Sequence, residues 1–347
     1  MARLKALPWQ HQIRAWIVQL LARPVHAVLL HGPAGIGKLD LALDTAERLL
    51  CERRPRSENA CGQCAGCMLV GAGSHPDLHI VRPDALVESE AAASDDSGRG
   101  EGVEGGGRAS REIRIEQVRS LAESIMLTTH RGGLRVIVIE PAESMNTPAC
   151  NALLKVLEEP PAGTVFLLVS HRIDQTLPTV RSRCALVRVP LPPTAQAAAW
   201  LEERGVERAR QRLIEAGGSP LLAAQVGHDA LPADLRGRFL GLLRKGAGLT
   251  PAEVVAAVPR EAPVGGSVAL FQRWGWDFLA FNLAGTVRYH PDEVAAFRGL
   301  AGRWRALRAC SWLAELRAVR ASADHPLNAK LAVEGMLLSY VQSINET

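Results

Sequence analysis

Residues 25–39 read Val25-His26-Ala27-Val28-Leu29-Leu30-His31-Gly32-Pro33-Ala34-Gly35-Ile36-Gly37-Lys38-Leu39. A short run of β-favouring apolar residues is followed by a glycine-rich turn, and a lysine then opens a helical pattern. From Gly32 to Lys38 the stretch matches G-x-x-x-x-G-K. Glycines let backbone N–H groups close around phosphate oxygens, the helix N-terminus adds a favourable dipole, and the lysine adds a point charge. Gly32, Gly35, Gly37 and Lys38 are therefore candidate nucleotide-binding residues. The position after the lysine should carry a hydroxyl that binds Mg²⁺; Leu39 offers no oxygen.

Outward from this loop, apolar runs recur at Leu78–Val81, Val136–Ile139, Val165–Val169 and Ala185–Val189. Several are apolar on successive residues, the pattern of strands covered on both faces in a parallel sheet. Between them lie helical compositions at 39–50, 115–127 and 148–157, the last with Thr147 as expected N-cap and Pro160-Pro161 as stop. Alternation of this kind predicts an α/β domain over residues 1–190. The third run, Arg135-Val136-Ile137-Val138-Ile139-Glu140-Pro141, should end in Asp-Glu, the first acid holding Mg²⁺ and the second orienting water. Glu140 can stand in for the first, one methylene too long, and Pro141 cannot replace the second. Hydrolysis in this chain is not expected.

Cys51, Cys61, Cys64 and Cys67 have the spacing C-x9-C-x2-C-x2-C. Four thiolates complete a closed tetrahedral Zn²⁺ site, so structural zinc is the leading expectation for residues 51–67. An iron–sulfur cluster accepts four cysteines too, and unmetallated thiols are the third possibility. Cys150, Cys184 and Cys310 are dispersed and read as small buried hydrophobes.

The chain has 347 residues, 47% hydrophobic and 22% charged, with a formal net charge of +4. That excludes a disordered or collagenous chain, and the mild charge carries no argument for nucleic acid. No run of about 18 apolar residues suggests a membrane span, and the N-terminal stretch lacks a signal-peptide core, so a cytoplasmic location is expected. Residues 88–110 are rich in Gly, Ser and Ala and are expected to form a flexible insertion. After a Pro-Leu-Pro-Pro linker at 190–193 the pattern is helical, with a Gly/Pro-rich joint around 246–266. Trp274, Trp276, Trp304 and Trp312 are expected as anchors between packed helices.

Together, LPW at 7–9, HAVLLHGPAGIGK at 26–38, the four-cysteine module, NALLKVLEEPP at 151–161 and the Ser182-Arg183-Cys184 triplet in TVRSRC carry a resemblance over about the first 190 residues. They resemble the delta-prime family of bacterial DNA polymerase III clamp-loader subunits, within the AAA+ superfamily. The resemblance implies an AAA+ phosphate-loop domain with a parallel sheet and an inserted zinc module. A small helical lid at 191–245 and an all-α collar at 246–347 would follow it. It implies that Arg183, flanked by Ser182 and Cys184, reaches in trans into the ATP site of a neighbouring subunit. ATP and Mg²⁺ would then sit in neighbouring subunits, with Lys38 and Glu140 belonging to a degenerate site. The implied partners are gamma/tau and delta subunits, a sliding clamp and primed DNA, within a polymerase holoenzyme; no membrane is implied. After Gly218-Ser219 the family's nucleotide-sensing arginine is replaced by Pro220-Leu221-Leu222. Ser170-His171 occupies the place of a γ-phosphate-sensing residue or makes local hydrogen bonds. The arginines at 114, 119, 131 and 135 are not assigned to DNA. The competing readings are an ATP-hydrolysing gamma/tau-like motor, which keeps the hydroxyl after the lysine and the full acidic pair, and a zinc-dependent nucleic-acid-binding protein.

Overall fold

A computed structural model describes residues 7–53, 59–94, 109–126, 133–225, 231–322 and 328–345. The chain divides into two compact units, Met1–Ala197 and Ala198–Thr347.

In the first unit, helix α1 (His11–Leu21) precedes β1 (Ala27–His31), α2 (Lys38–Leu50), α3 (Ala65–Gly71), β2 (Leu78–Val81) and α4 (Asp84–Ser94). Then come α5 (Ile115–Met126), β3 (Arg135–Ile139), α6 (Thr147–Glu158), β4 (Thr164–Ser170), α7 (Pro178–Arg181) and β5 (Ala185–Arg188). The five strands form one parallel sheet in the order β2-β3-β4-β1-β5, so β4 lies between the loop-bearing strand β1 and β3. Parallel strands need helical crossovers, and these cover both faces. Ala27, Leu29, Ile137, Ile139, Phe166 and Leu168 pack on one side with α5 and α6. Val28, Leu30, Val136, Val138, Leu167 and Val169 pack on the other with α1 and α2. A period of two sends neighbouring residues to opposite layers, and both layers are apolar, which is why the strands read as continuous apolar runs.

Two local expectations are corrected. The N-cap of α6 is Asn146, whose Oδ1 accepts the Ala149 N–H at 2.9 Å, and Thr147 is the first helical residue. Both residues can cap, and Asn146 is the one with the extended cap backbone, φ −68° and ψ 162°. The expected flexible insertion begins later than its composition suggests: α4 runs to Ser94, alanine-rich enough to stay helical. Residues 95–108 lie outside the described residues.

Helix α8 (Thr194–Glu202) spans the point where the units divide. Among the described residues the second unit is all helical: α9 (Ala209–Glu215), α10 (Pro220–Ala224), α11 (Ala233–Lys245), α12 (Pro251–Ala257), α13 (Val264–Ala284), α14 (Val294–Leu300), α15 (Ala306–Ser322) and α16 (Ala329–Asn345). One buried cluster runs from Leu235 to Ile344, so α11 shares its core with the helices that follow residue 246. Trp274, Trp304 and Trp312 are buried as expected, but Cys310 on α15 is exposed rather than buried, and Trp276 is 55% exposed. It lies two residues, about 200°, round α13 from Trp274, and the buried face is carried by Phe271, Trp274 and Phe278. Polar tips in this core find partners: Tyr340 donates to Leu243 O at 2.8 Å and Trp312 Nε1 to Met336 O at 3.0 Å. Among the described residues no helix is long and apolar enough to cross a membrane.

Candidate functional site

The glycine loop joins β1 to α2 at the C-terminal edge of the sheet. Gly37, the N-cap of α2, has φ +84°, and a Cβ there would meet Leu7 Cδ1 at 2.2 Å. Only glycine fits both the left-handed backbone and the close approach. The loop is held from the N-terminal side. Gln10, fully buried, donates from Nε2 to Ile36 O at 3.0 Å and to Gly37 O at 2.6 Å. Trp9 Nε1 donates to Ile36 O at 3.2 Å. The LPW motif and the glutamine after it thus buttress the phosphate loop, a role that no local sequence pattern specifies for Gln10.

Lys38 is 2% exposed, and its Nζ donates back to Gly32 O at 2.8 Å and Pro33 O at 2.5 Å. Burial draws its pKa down to about 8, against the opposing pull of Glu143 and Glu140. Leu39 packs half-buried against the apolar layer behind the loop, so the position that would hold Mg²⁺ in a working site serves the core. Burial, and then the charges of Arg188, Arg181 and Lys38, lower the pKa of His31 at the end of β1.

Glu140, at the end of β3, is buried and already partnered. Arg82 Nε lies 2.8 Å from its Oε2, and His171 Nε2 lies 3.4 Å from its Oε1. Burial pushes this carboxyl up, but the His171 hydrogen bond and the Arg82 charge outweigh it and hold the pKa below the ordinary value. The next residue, Pro141, brings no polar side chain. Glu143, in the 3-10 turn Ala142–Ser144, faces the same lysine charge and was not singled out by the sequence. Its Oε1 accepts the His171 N–H at 2.9 Å, and its Oε2 is buried without a partner. The available signal was an acid four residues beyond a strand end. Ser170 makes local bonds: its Oγ accepts the Arg172 N–H at 3.2 Å and the Thr176 hydroxyl at 3.1 Å.

The Ser182-Arg183-Cys184 triplet follows α7. Arg183 donates to Glu158 at the end of α6, to Thr179 O and to Ser182 Oγ. None of these partners belongs to the phosphate loop. Ser182 is exposed and donates to Thr179 O at 3.0 Å. Burial pushes the Cys184 thiol up to about 12, so it is an inert packing group. In the second unit Pro220 opens α10 directly after Ser219. Arg114 pairs with Asp84, and Arg135 is buried and donates to Ile125 O. Residue 131 lies outside the described residues.

Cys51, Cys61, Cys64 and Cys67 converge, with all four Sγ atoms within 4.8 Å of one another. Cys61 and Cys67 Sγ are 3.9 Å apart, as are Cys64 and Cys51. Four sulfurs about 2.3 Å from a central ion sit at nearly this mutual distance, so the donor set fits a tetrahedral thiophilic metal. Three backbone amides point at sulfur: Cys61 N–H to Cys51, Cys64 N–H to Cys61 and Cys67 N–H to Cys64, at 3.4–3.5 Å. Such bonds stabilise thiolates. A Cβ at Gly66 would meet Leu50 O at 2.5 Å, so the knuckle closes directly against the end of α2.

Comparison with known proteins places these features. A family model described as DNA polymerase III, delta subunit, matches residues 16–192, just over half of the chain. DNA polymerase III subunit delta′ of Pseudomonas aeruginosa is 40% identical over 223 residues, 63% of this chain and 60% of that protein. The Escherichia coli subunit delta′ is 33% identical over 199 residues, 56% of this chain and 52% of that protein. The chain thus spans about half to three fifths of the length of these curated relatives. A solved DNA polymerase III gamma subunit-related protein of Thermotoga maritima aligns with TM-score 0.42 and 16% identity over 96% of this chain and 100% of that one. On the family match and these relatives, the chain belongs to the delta-prime family of DNA polymerase III subunits.

Proposed function

We propose that this chain is a non-catalytic AAA+ subunit of the DNA polymerase III clamp loader, helping ATP-driven loading of a sliding clamp onto primed DNA. Its partners are gamma/tau and delta subunits, and Arg183 completes the ATPase site of one of them. The observation that carries this reading is the state of the chain's own site. Leu39 packs into the core where a metal-binding hydroxyl belongs, and Glu140 is neutralised by Arg82. A Mg²⁺ ion brought in with a nucleotide would find no hydroxyl at Leu39 and an already paired acid at Glu140, which assigns turnover to other subunits of the assembly. A planar guanidinium supplied in trans stabilises charge developing on a transferred phosphoryl group. Arg183, 33% exposed after α7, supports that role. The four cysteines hold a structural zinc ion, which would tie the end of α2 to α3. Residues from 191 onward serve as the lid and then the collar through which subunits associate, and α11, which shares its buried core with the helices after residue 246, goes with the collar.

The test is ATP turnover by the reconstituted loader with clamp and primed DNA. The expected result is an inert isolated chain, a loss of about 10²-fold or more for Arg183→Ala at the neighbouring site, and little change for Lys38→Ala. Turnover by the isolated chain, with Arg183→Ala silent in the assembly, would replace this reading by the gamma/tau-like motor.

A further inference from the structure

Glu158 is the last residue of α6, and Glu159 follows as its C-cap. Carboxylates are disfavoured there, because the free carbonyls of a helix C-terminus carry partial negative charge and prefer cations. Local preference therefore does not account for Glu158. Its partner does: Arg183 Nε and Nη2 both donate to Glu158 Oε1, the first at 2.8 Å. Nη1 donates to Thr179 O at 3.0 Å and to Ser182 Oγ at 3.3 Å. Of the five guanidinium N–H groups, four are committed to the chain's own atoms. The pair is open to water, with side chains 33% and 51% exposed. Ion pairs this exposed contribute little to stability and exchange readily.

A carboxylate and a phosphate offer the same fork geometry to arginine. The donors that Arg183 spends on Glu158 are the ones it would need for phosphate oxygens. We propose that Glu158 is a positioning residue for Arg183, a latch that holds the guanidinium against its own chain until the phosphates of a nucleotide in a neighbouring subunit displace it. This rests on Arg183 acting in trans. Glu158 neither reaches the neighbour nor contacts nucleotide; it sets how readily Arg183 leaves.

The experiment is a double-mutant cycle in the reconstituted loader, measuring ATP turnover and KM in the absence of DNA. Glu158→Gln keeps the shape and removes the charge. It is expected to lower KM or raise basal turnover about two- to fivefold, the range an exposed ion pair supports. The effect should shrink at high salt, which screens the wild-type pair, and vanish in an Arg183→Ala background. No change in Glu158→Gln, or a loss resembling that of Arg183→Ala, overturns the latch while leaving the trans arginine standing. A silent Arg183→Ala overturns the trans role itself, and the latch with it. A second readout needs no partner: in the isolated full-length chain, modification of Arg183 by phenylglyoxal, followed by peptide mass mapping, should be faster in Glu158→Gln. Equal rates count against the latch even if the assembly fails to form.

Discussion

Arg82 and Glu140 form an ion pair across the ends of β2 and β3, with Nε and Oε2 2.8 Å apart and side chains only 12% and 9% exposed. The acid at the strand end, where a nucleotide site would direct it to metal, is committed to a cation of its own chain. Breaking one side of a buried pair leaves a buried charge unpaired, which costs more than the pair contributes.

Arg82→Met leaves Glu140 with only its contact to His171 and is expected to destabilise the protein by about 1–3 kcal/mol at neutral pH. The sign with pH follows from Glu140. Its pKa is lowered in the folded protein, so its contribution is present above the ordinary carboxylate value and is lost as pH falls through the lowered one. In the variant the carboxyl has lost its nearer cation and keeps only the longer contact to His171, so it gains more from protonation and the gap between the proteins should close on acidification. Urea melts at about pH 7 and about pH 4 check this; a gap that is constant with pH contradicts it.

Lys38 gives the opposite dependence. Its folded pKa, about 8, lies below the ordinary 10.5, so between these values the unfolded chain binds a proton that the folded chain lacks. Stability should rise with pH across that window, and the penalty of burying the cation is fully present below it. Relative to Lys38→Met, the wild type should gain about 1–3 kcal/mol between pH 8 and pH 10. Chemical melts of both proteins across the window report the slope, and parallel curves would count against a buried, charged lysine.

The four-cysteine cluster should hold about one Zn²⁺ per chain. Cys64→Ser should lower zinc content and stability together, by more than about 3 kcal/mol, because metal binding free energy is folding free energy at such sites. Elemental analysis alongside thermal melts, with and without chelator, makes the comparison. Iron in place of zinc, or stability unchanged by a chelator that strips the metal, contradicts it.

Gln10 closes the phosphate loop through two carbonyls, Ile36 O and Gly37 O. Gln10→Ala leaves both without this donor in a buried site and is expected to cost about 1–3 kcal/mol. Gly37→Ala should cost more, since it adds a clash with Leu7 to a backbone at φ +84°. Hydrogen exchange at the first amides of α2 should quicken in both variants. Unchanged exchange would show that the N-terminal segment is not what holds the loop.

Much of the first unit was legible in the sequence, for a physical reason visible in its strands. β2 was read at its observed bounds and the others to within two residues at either end. A strand covered on both faces has nothing but apolar residues between its turn signals. The glycine loop and the cysteine spacing were equally readable, because both are set by short stretches of covalent chain: left-handed glycines in one, two-residue knuckles in the other. The N-cap of α6 was missed by one residue because Asn146 and Thr147 both cap well and only the backbone conformation decides between them. Trp276 was grouped with the buried tryptophans by composition, whereas a two-residue offset on a helix turns a side chain away from the face it was counted with.

The sequence by itself determined the strands of the parallel sheet, the phosphate loop and its lost hydroxyl, and the convergence of four thiols. Each follows from periodicity or spacing within a few residues. Only the tertiary structure decided where the charges go. Arg82 meets Glu140 across 58 residues and Arg183 meets Glu158 across 25. Lys38 turns back on the carbonyls of its own loop, and Gln10 locks that loop from 26 residues away. Charged and amide side chains take whichever partners the sheet order brings within about 3 Å, and that order is written in the packing of two apolar layers, not in the residues flanking each charge.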